Sequence, residues 1–145
     1  MADTMQFDLV SPERRLASGQ ARSVQIPGAE GQLTAMPDHA PMITTLRPGI
    51  IRVEMADGVK TFGVIGGFAE ITGDSVSILA ERAYAEGSGN HAEVMGLLEE
   101  ARAKAAGAAP EHRDVAELLV ADLVELAGNM SSDRQLGQAG APAPA

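Results

Sequence analysis

Gly49–Gly66 reads GIIRVEMADGVKTFGVIG. Ile51, Val53 and Met55 fall at every second position, with Arg52 and Glu54 between them. Side chains of a strand alternate between its two faces, so a period of two predicts a strand with one buried face. Asp57-Gly58 then separates it from a second β-rich run, a strong hairpin signal because Gly tolerates the backbone a tight turn needs. An antiparallel hairpin with one apolar face cannot stand alone in water. It predicts a larger β structure around it.

The same pattern continues in both directions. From Met5 to about Tyr84, short alternating runs are divided by Gly and Pro. The candidate strands are MQFDLV, RSVQIP, GQLTAM, MITTL, GIIRVEM, VKTFGVIG, FAEITG and DSVSILAE. In the last of these Val76, Ile78 and Ala80 share a face, and Gly73-Asp74 supplies another turn. Many short antiparallel strands at this spacing predict a sandwich or flattened barrel. Gly66-Gly67 is not a phosphate loop, because no Lys-Ser/Thr follows and β residues come next. It reads as a kink or bulge where backbones approach closely.

EGSGN, Glu86–Asn90, breaks the pattern and reads as a linker. Beyond it the period becomes helical. Asn90 followed by Glu93 resembles a capping box. Val94, Leu97, Leu98, Ala101 and Ala105 share one face, and Gly107 ends this helix. Pro110 suits the first turn of a second helix, in which Val115, Leu119, Leu123 and Leu126 line up, broadened by Val120 and Val124. Gly128-Asn129 is a stop signal. Two helices joined by so few residues form an αα-hairpin. The remaining NMSSDRQLGQAGAPAPA has little to bury and reads as disordered. The expectation is an α+β chain with a β-sandwich domain over 1–86, a helical hairpin over 87–129 and a tail over 130–145.

The chain has 145 residues, no Cys and a net charge of −9. The absence of Cys excludes disulfides, thiolate metal sites and Cys catalysis. The acidic balance argues against a nucleic-acid surface and against anionic lipid. No apolar run approaches the ~20 residues that span a bilayer. The start, MADTMQFDLV, is neither a secretory signal nor an Arg-rich transit peptide.

Asp38-His39, bracketed by Pro37 and Pro41, is the one pair with catalytic chemistry. Neighbours in an extended segment point to opposite sides, so Asp38 is badly placed to orient His39, and no matching nucleophile motif exists. His39, His91 and His112 lack any metal-ligand spacing. LEEARAK, Leu98–Lys104, reads as a solvated helix face with Glu99–Arg102 and Glu100–Lys104 pairs. No catalytic, metal or cofactor site is assigned. Two classes remain: an interaction or regulatory subunit, and a stand-alone β-sandwich that binds or carries a ligand. The low aromatic content, 3%, disfavours the second.

A family resemblance bears on that choice. Ser11-Pro12-Glu13, IPGAEGQL at 26–33, PDHAPMITTLRPG at 37–49, GGFAEI at 66–71 and VSILAE at 76–81 stand in the order seen in epsilon subunits of F-type ATP synthases, called delta in mitochondria. The resemblance implies a ten-stranded β-sandwich followed by two helices. It implies a non-catalytic rotor subunit that links gamma to the c-ring, with alpha and beta subunits as further partners of the helices. In some members the helices restrain ATP hydrolysis. It places the turn with Glu30, Gly31 and Gln32 near the c-ring, and Ser11, His39 and Thr44 near gamma or the ring. The usual Gly of this region is replaced near Thr34-Ala35. An ATP motif of some bacterial members is matched by Leu98, Glu99 and Arg102, with Glu for Asp, while the second helix carries only Arg113. The start of the chain then implies a bacterial protein, peripheral on the cytoplasmic face of the inner membrane.

Overall fold

Alternating burial runs through the first half of the chain and gives its strands one face toward a common core. In β1 (Met5–Val10) the residues facing the core are Met5, Phe7 and Leu9. A computed structural model describes residues 3–85 and 90–140, the backbone alone for 131–140. Two units are distinguished, one up to Ala85 and one after it.

The first unit holds β2 (Arg15–Gly28), β3 (Gly31–Ala35), β4 (Met42–Thr45), β5 (Gly49–Met55), β6 (Gly58–Ile71) and β7 (Ser75–Ala85) besides β1. Neighbours run β1-β7-β6-β5-β2-β3, and β1 also pairs β2, so five strands close into a ring. β4 adds to β6. Phe7, Leu9, Val24, Ile26, Ile51, Val53, Val64, Ile71, Val76 and Ile78 fill the interior. Phe7 and Phe62 meet at a ring-centroid distance of 6.4 Å. This is the α+β sandwich-plus-helices class, with seven strands among the described residues rather than ten. β2 and β6, of 14 residues each, do the work of two strands apiece. The first half of β2 pairs β1, and its second half pairs β5 and β3. Its first half, Arg15–Ala21, carries too little apolar alternation to be read as a strand from sequence. VKTFGVIG and FAEITG likewise form one strand. The pairing is also not wholly antiparallel: β1 runs parallel to β7.

The Gly49–Gly66 hairpin forms in the register Met55↔Gly58, with Gly58 at φ 131°. The β2–β3 hairpin repeats this plan, Gly28↔Gly31 with Gly31 at φ 129°. Gly66 and Gly67, at φ 73° and 103°, sit where β6 leaves β5 and takes up β4. The pairing with β7 keeps one register from Phe62↔Ala85 to Ile71↔Val76, so the pair marks a close approach and not a bulge. A Cβ on Gly67 would overlap the Leu79 carbonyl oxygen, whereas one on Gly66 would meet only the Glu81 side chain.

Met36–His39 is a β-turn, with the His39 amide donating to the Met36 carbonyl at 3.1 Å. Asp38 has φ 69°. Proline second and a left-handed residue third is the pattern of a type II turn. The segment is therefore not extended, as the sequence reading supposed.

The second unit holds α1 (His91–Ala106) and α2 (Pro110–Gly140), packed as a hairpin. Asn90 precedes α1 but its side chain makes no capping hydrogen bond, so the Asn90 half of the expected capping box is not formed. Gly107 closes α1, its amide donating to the Ala103 carbonyl. Val94, Leu98 and Ala101 are buried. Among the α2 residues whose side chains are described, only Leu123, Leu126, Ala127 and Asp122 are buried, while Val115 is 73% and Leu119 39% exposed, and Val124 is exposed too. The cause lies in α1, whose end is ARAKAA. Opposite the start of α2 it offers alanines, too short to cover Val or Leu. Gly128-Asn129 does not stop α2, which runs on to Gly140. A mid-helix Gly costs only about 1 kcal/mol relative to Ala, and Ala127 and Met130 on either side favour continuation. Residues 130–140 are thus helical, while the end of the expected tail and most of the expected linker, 86–89, lie outside the described residues.

Substitutions at three positions test these backbone constraints. Gly67→Ala combines a disfavoured φ with a backbone overlap and should cost about 3 kcal/mol or more, read by urea denaturation. Gly66→Ala should cost clearly less, since Glu81 can swing away. Asp38→Val should destabilise by about 1–2 kcal/mol, because a β-branched residue is strained at positive φ, while Asp38→Asn should stay within about 0.5 kcal/mol.

Candidate partner interface

Strand register, rather than sequence proximity, builds the surface of interest. Thr45 of β4 stands opposite Phe68 of β6, Phe68 opposite Leu79 of β7, and Leu79 opposite Val10 of β1. Their strand neighbours Leu9, Ala69, Ile78 and Ala80 are buried, so the row itself faces outward. It spans three strand spacings, about 14 Å at ~4.8 Å each. Phe68 is 43% and Leu79 42% exposed, and Ile43, two residues before Thr45, is 65% exposed. Contiguous exposed apolar groups on a sheet mark a surface that another molecule covers.

The same side of the sheet changes character at its β1–β2 border. Ser18 Oγ donates to Asp8 Oδ1 at 2.7 Å, and Gln6 Nε2 donates to Ser18 Oγ at 3.1 Å. Gln20 Nε2 donates to Gln6 Oε1 at 2.8 Å, and Thr4 Oγ1 to Gln20 Oε1 at 2.9 Å. This ladder of satisfied polar groups is suited to solvent and bounds the apolar patch on one side.

The residues marked by the resemblance fringe the patch. Ser11 follows Val10 at one margin, in a turn where its amide donates to the Arg14 carbonyl at 2.9 Å and its Oγ at 3.3 Å. Glu30, Gly31 and Gln32 lie at the other margin, in the β2–β3 turn and the start of β3. Thr44 is half-buried, and its Oγ1 accepts from the Ala29 amide at 3.3 Å. The Gly28↔Leu46 bridge and the Arg47 amide donating to the Pro27 carbonyl at 2.9 Å extend that join. Thr44 thereby fastens β4 to the turn that carries Glu30. Gln32 Nε2 donates to Gln25 Oε1 at 2.8 Å.

His39 stands at the end of β4 away from Leu46. The Asp38 amide donates to the Gly73 carbonyl at 2.7 Å, tying this loop to the β6–β7 turn. His39 Nδ1 lies 2.7 Å from the Ala40 carbonyl oxygen, which can only accept, so Nδ1 carries the proton. The ring is thus oriented by the backbone and not by the Asp38 carboxylate. On the hairpin, Leu98 is buried in the helix seam, while Glu99, Arg102 and Arg113 are exposed.

Phe68, Leu79, Ile43 and Val10 were not singled out from sequence. A signal was present: Leu79 is an apolar residue at the polar phase of Val76-Ile78-Ala80, and Val10 likewise follows Phe7 and Leu9 out of step. One such residue is ordinary on a surface. Only the register shows that they meet.

The ATP synthase delta/epsilon chain β-sandwich domain model matches residues 4–86. The chain is 62% identical over 102 residues to the ATP synthase epsilon chain of a Ruegeria species, covering 70% of this chain and 74% of that one. It is 52% identical over 126 residues to ATP synthase epsilon chain 1 of Cereibacter sphaeroides, covering 87% and 96%. Its fold is similar to a chain in a cryo-EM structure of the Euglena gracilis mitochondrial ATP synthase, OSCP/F1/c-ring, with a TM-score of 0.67, 24% identity and 87% and 80% of the two chains covered. This chain therefore belongs to the delta/epsilon family of F-type ATP synthase and is a non-catalytic subunit of that complex.

Proposed function

We propose that this chain is a rotor subunit that joins the gamma subunit to the c-ring, so that proton-driven rotation of the ring reaches the catalytic subunits. The observation that carries the proposal is the outward row Thr45–Phe68–Leu79–Val10 with Ile43. A monomeric domain gains nothing by exposing this row, whereas gamma would cover it. The resemblance supports the same surface from another side, because Ser11, Thr44 and His39 stand at its margins. The turn with Glu30, Gly31 and Gln32, held to β4 through Thr44, is the contact proposed for the polar loops of the ring.

A rotating joint must transmit torque without yielding. The supporting features are the closed ring of strands and the backbone ties at both ends of β4. No helix among the described residues is long and apolar enough to cross a membrane, which agrees with a peripheral place held by partner contacts. That place is proposed as the cytoplasmic face of a bacterial inner membrane. The helical hairpin is assigned the regulatory contact with the alpha and beta subunits.

Phe68→Glu and Leu79→Glu should each keep the fold, since both side chains already face water. Each should weaken capture of purified gamma by about 2 kcal/mol or more, roughly 30-fold, because a charge would be buried in the interface. Glu54→Lys, exposed on β5, should leave capture unchanged. Equal capture by all three variants would place the gamma contact elsewhere. For the hairpin, an assembled complex whose subunit lacks residues 87–145 should hydrolyse ATP faster while gamma stays bound. Unchanged hydrolysis would leave the joint and remove the regulatory contact.

A further inference from the structure

The outward row of the sandwich runs between two exposed carboxylates. On β6, Glu70 follows Phe68 by two residues and so shares its face; on β7, Glu81 follows Leu79 by two and does the same. Phe68 and Leu79 stand opposite each other on antiparallel strands, so the two carboxylates fall on opposite sides of the row. Glu70 stands opposite Ser77, and the Glu81 side chain lies over Gly66. Each is set off from the row by about 7 Å, two residues at ~3.4 Å. Both are exposed, and neither makes a hydrogen bond or ion pair with another described residue. Asp8 continues the Glu70 side, since Ser77 also stands opposite Asp8, but its carboxylate is taken up by the Ser18 hydroxyl at 2.7 Å. The sign reverses at the end of the row, where Arg15 is paired with Val10 and is exposed.

We propose that the surface seated on this row is a basic face of gamma, an apolar strip with Lys or Arg on both sides, and that Glu70 and Glu81 speed its arrival. The inference rests on the row being the gamma contact, as proposed above, and adds the chemistry of the partner. A carboxylate at the margin of an apolar contact loses hydration on docking, and a cation opposite it offsets that loss. Charge selects among occupants. A second copy of this face would bring a further pair of carboxylates to the same margin. An anionic bilayer would be repelled. Charges at the rim of an interface act mainly on the association rate and its salt dependence, whereas the apolar centre governs how long the complex lasts. The two contributions are therefore separable by kinetics.

The test is the binding of the full chain to immobilised, purified gamma. For the wild-type chain the association rate constant should fall at least about fivefold between about 50 and about 300 mM NaCl, with dissociation nearly constant. Glu70→Lys with Glu81→Lys should slow association at least about tenfold at the lower salt and remove most of the salt dependence. Arg15→Glu, a charge change of the opposite sense at the same margin, should speed association about twofold. Phe68→Glu should act chiefly by faster dissociation. Circular dichroism and urea denaturation check that each variant keeps the fold. If Phe68→Glu weakens capture while the double reversal keeps the wild-type rate and salt dependence, the row is the joint and the basic counterface is wrong. Slower association in both Arg15→Glu and the double reversal would show disturbance of the surface rather than an effect of charge sign, and would overturn the proposal. If Phe68→Glu has no effect either, the reading of the row fails and this inference fails with it. A concentration-dependent dimer that Phe68→Glu abolishes would make a second copy the occupant and overturn it as well.

Discussion

The close passage of β6 over β7 at Gly67 is the constraint on which the sandwich depends. At this point β6 must pair β7 on one side without interruption while it exchanges β5 for β4 on the other. The exchange brings the Gly67 backbone against the Leu79 carbonyl, a spacing that no Cβ permits. Gly66 beside it also takes a positive φ. The Leu46 amide donates to the Gly67 carbonyl at 2.9 Å, so the same residue anchors the end of β4. If β6 could not turn here, β4 would have no partner strand, Thr44 would not reach Ala29, and the row through Phe68 would not form. A local steric condition thus determines the candidate interface.

The elements most legible in the sequence were those whose signal is local. The β5–β6 hairpin followed from Ile51-Val53-Met55 and Asp57-Gly58, and α1 followed from Val94-Leu98-Ala101 and Gly107. What was not legible depends on partners distant in the chain. Strand alternation reveals which face is buried but not which strand lies next door, so the parallel β1–β7 pair and the closing β1–β2 pair went unseen. A long strand that changes partners midway, as β2 and β6 do, looks like two. The candidate interface shares this difficulty. Val10, Leu79, Phe68 and Thr45 are scattered over the chain, and each alone is an unremarkable surface residue. The motifs pointed to the margins of the patch and not to its centre.

The helices failed differently. Periodicity measures which residues of a helix could be buried together, and Val115 and Leu119 satisfied it. Whether they are buried depends on the facing helix, and α1 ends in alanine. The stop signal at Gly128-Asn129 was likewise outweighed: one unfavourable residue does not end a helix unless another conformation gains more. Propensity and pattern are conditions that tertiary contacts either complete or override.

The two units of this chain therefore expose apolar surface under different physical circumstances. On the sandwich, the patch sits on a sheet whose backbone hydrogen bonds are made and whose opposite face is packed with Phe7, Leu9, Ile71 and Ile78. That surface exists before any partner arrives, so little ordering free energy is lost on docking, and a rigid contact results. On the hairpin, the large buried side chains among the described residues are Val94, Leu98, Leu123 and Leu126, all toward one end of the pair. The other end, around Val115, is joined mainly through alanines. A partner covering it would add the burial that α1 lacks. Contact there would stabilise the helix as well as hold the partner, which makes the hairpin the more responsive of the two units. The division would suit the proposed rotor part, which must stay attached through one surface while changing its contacts through another.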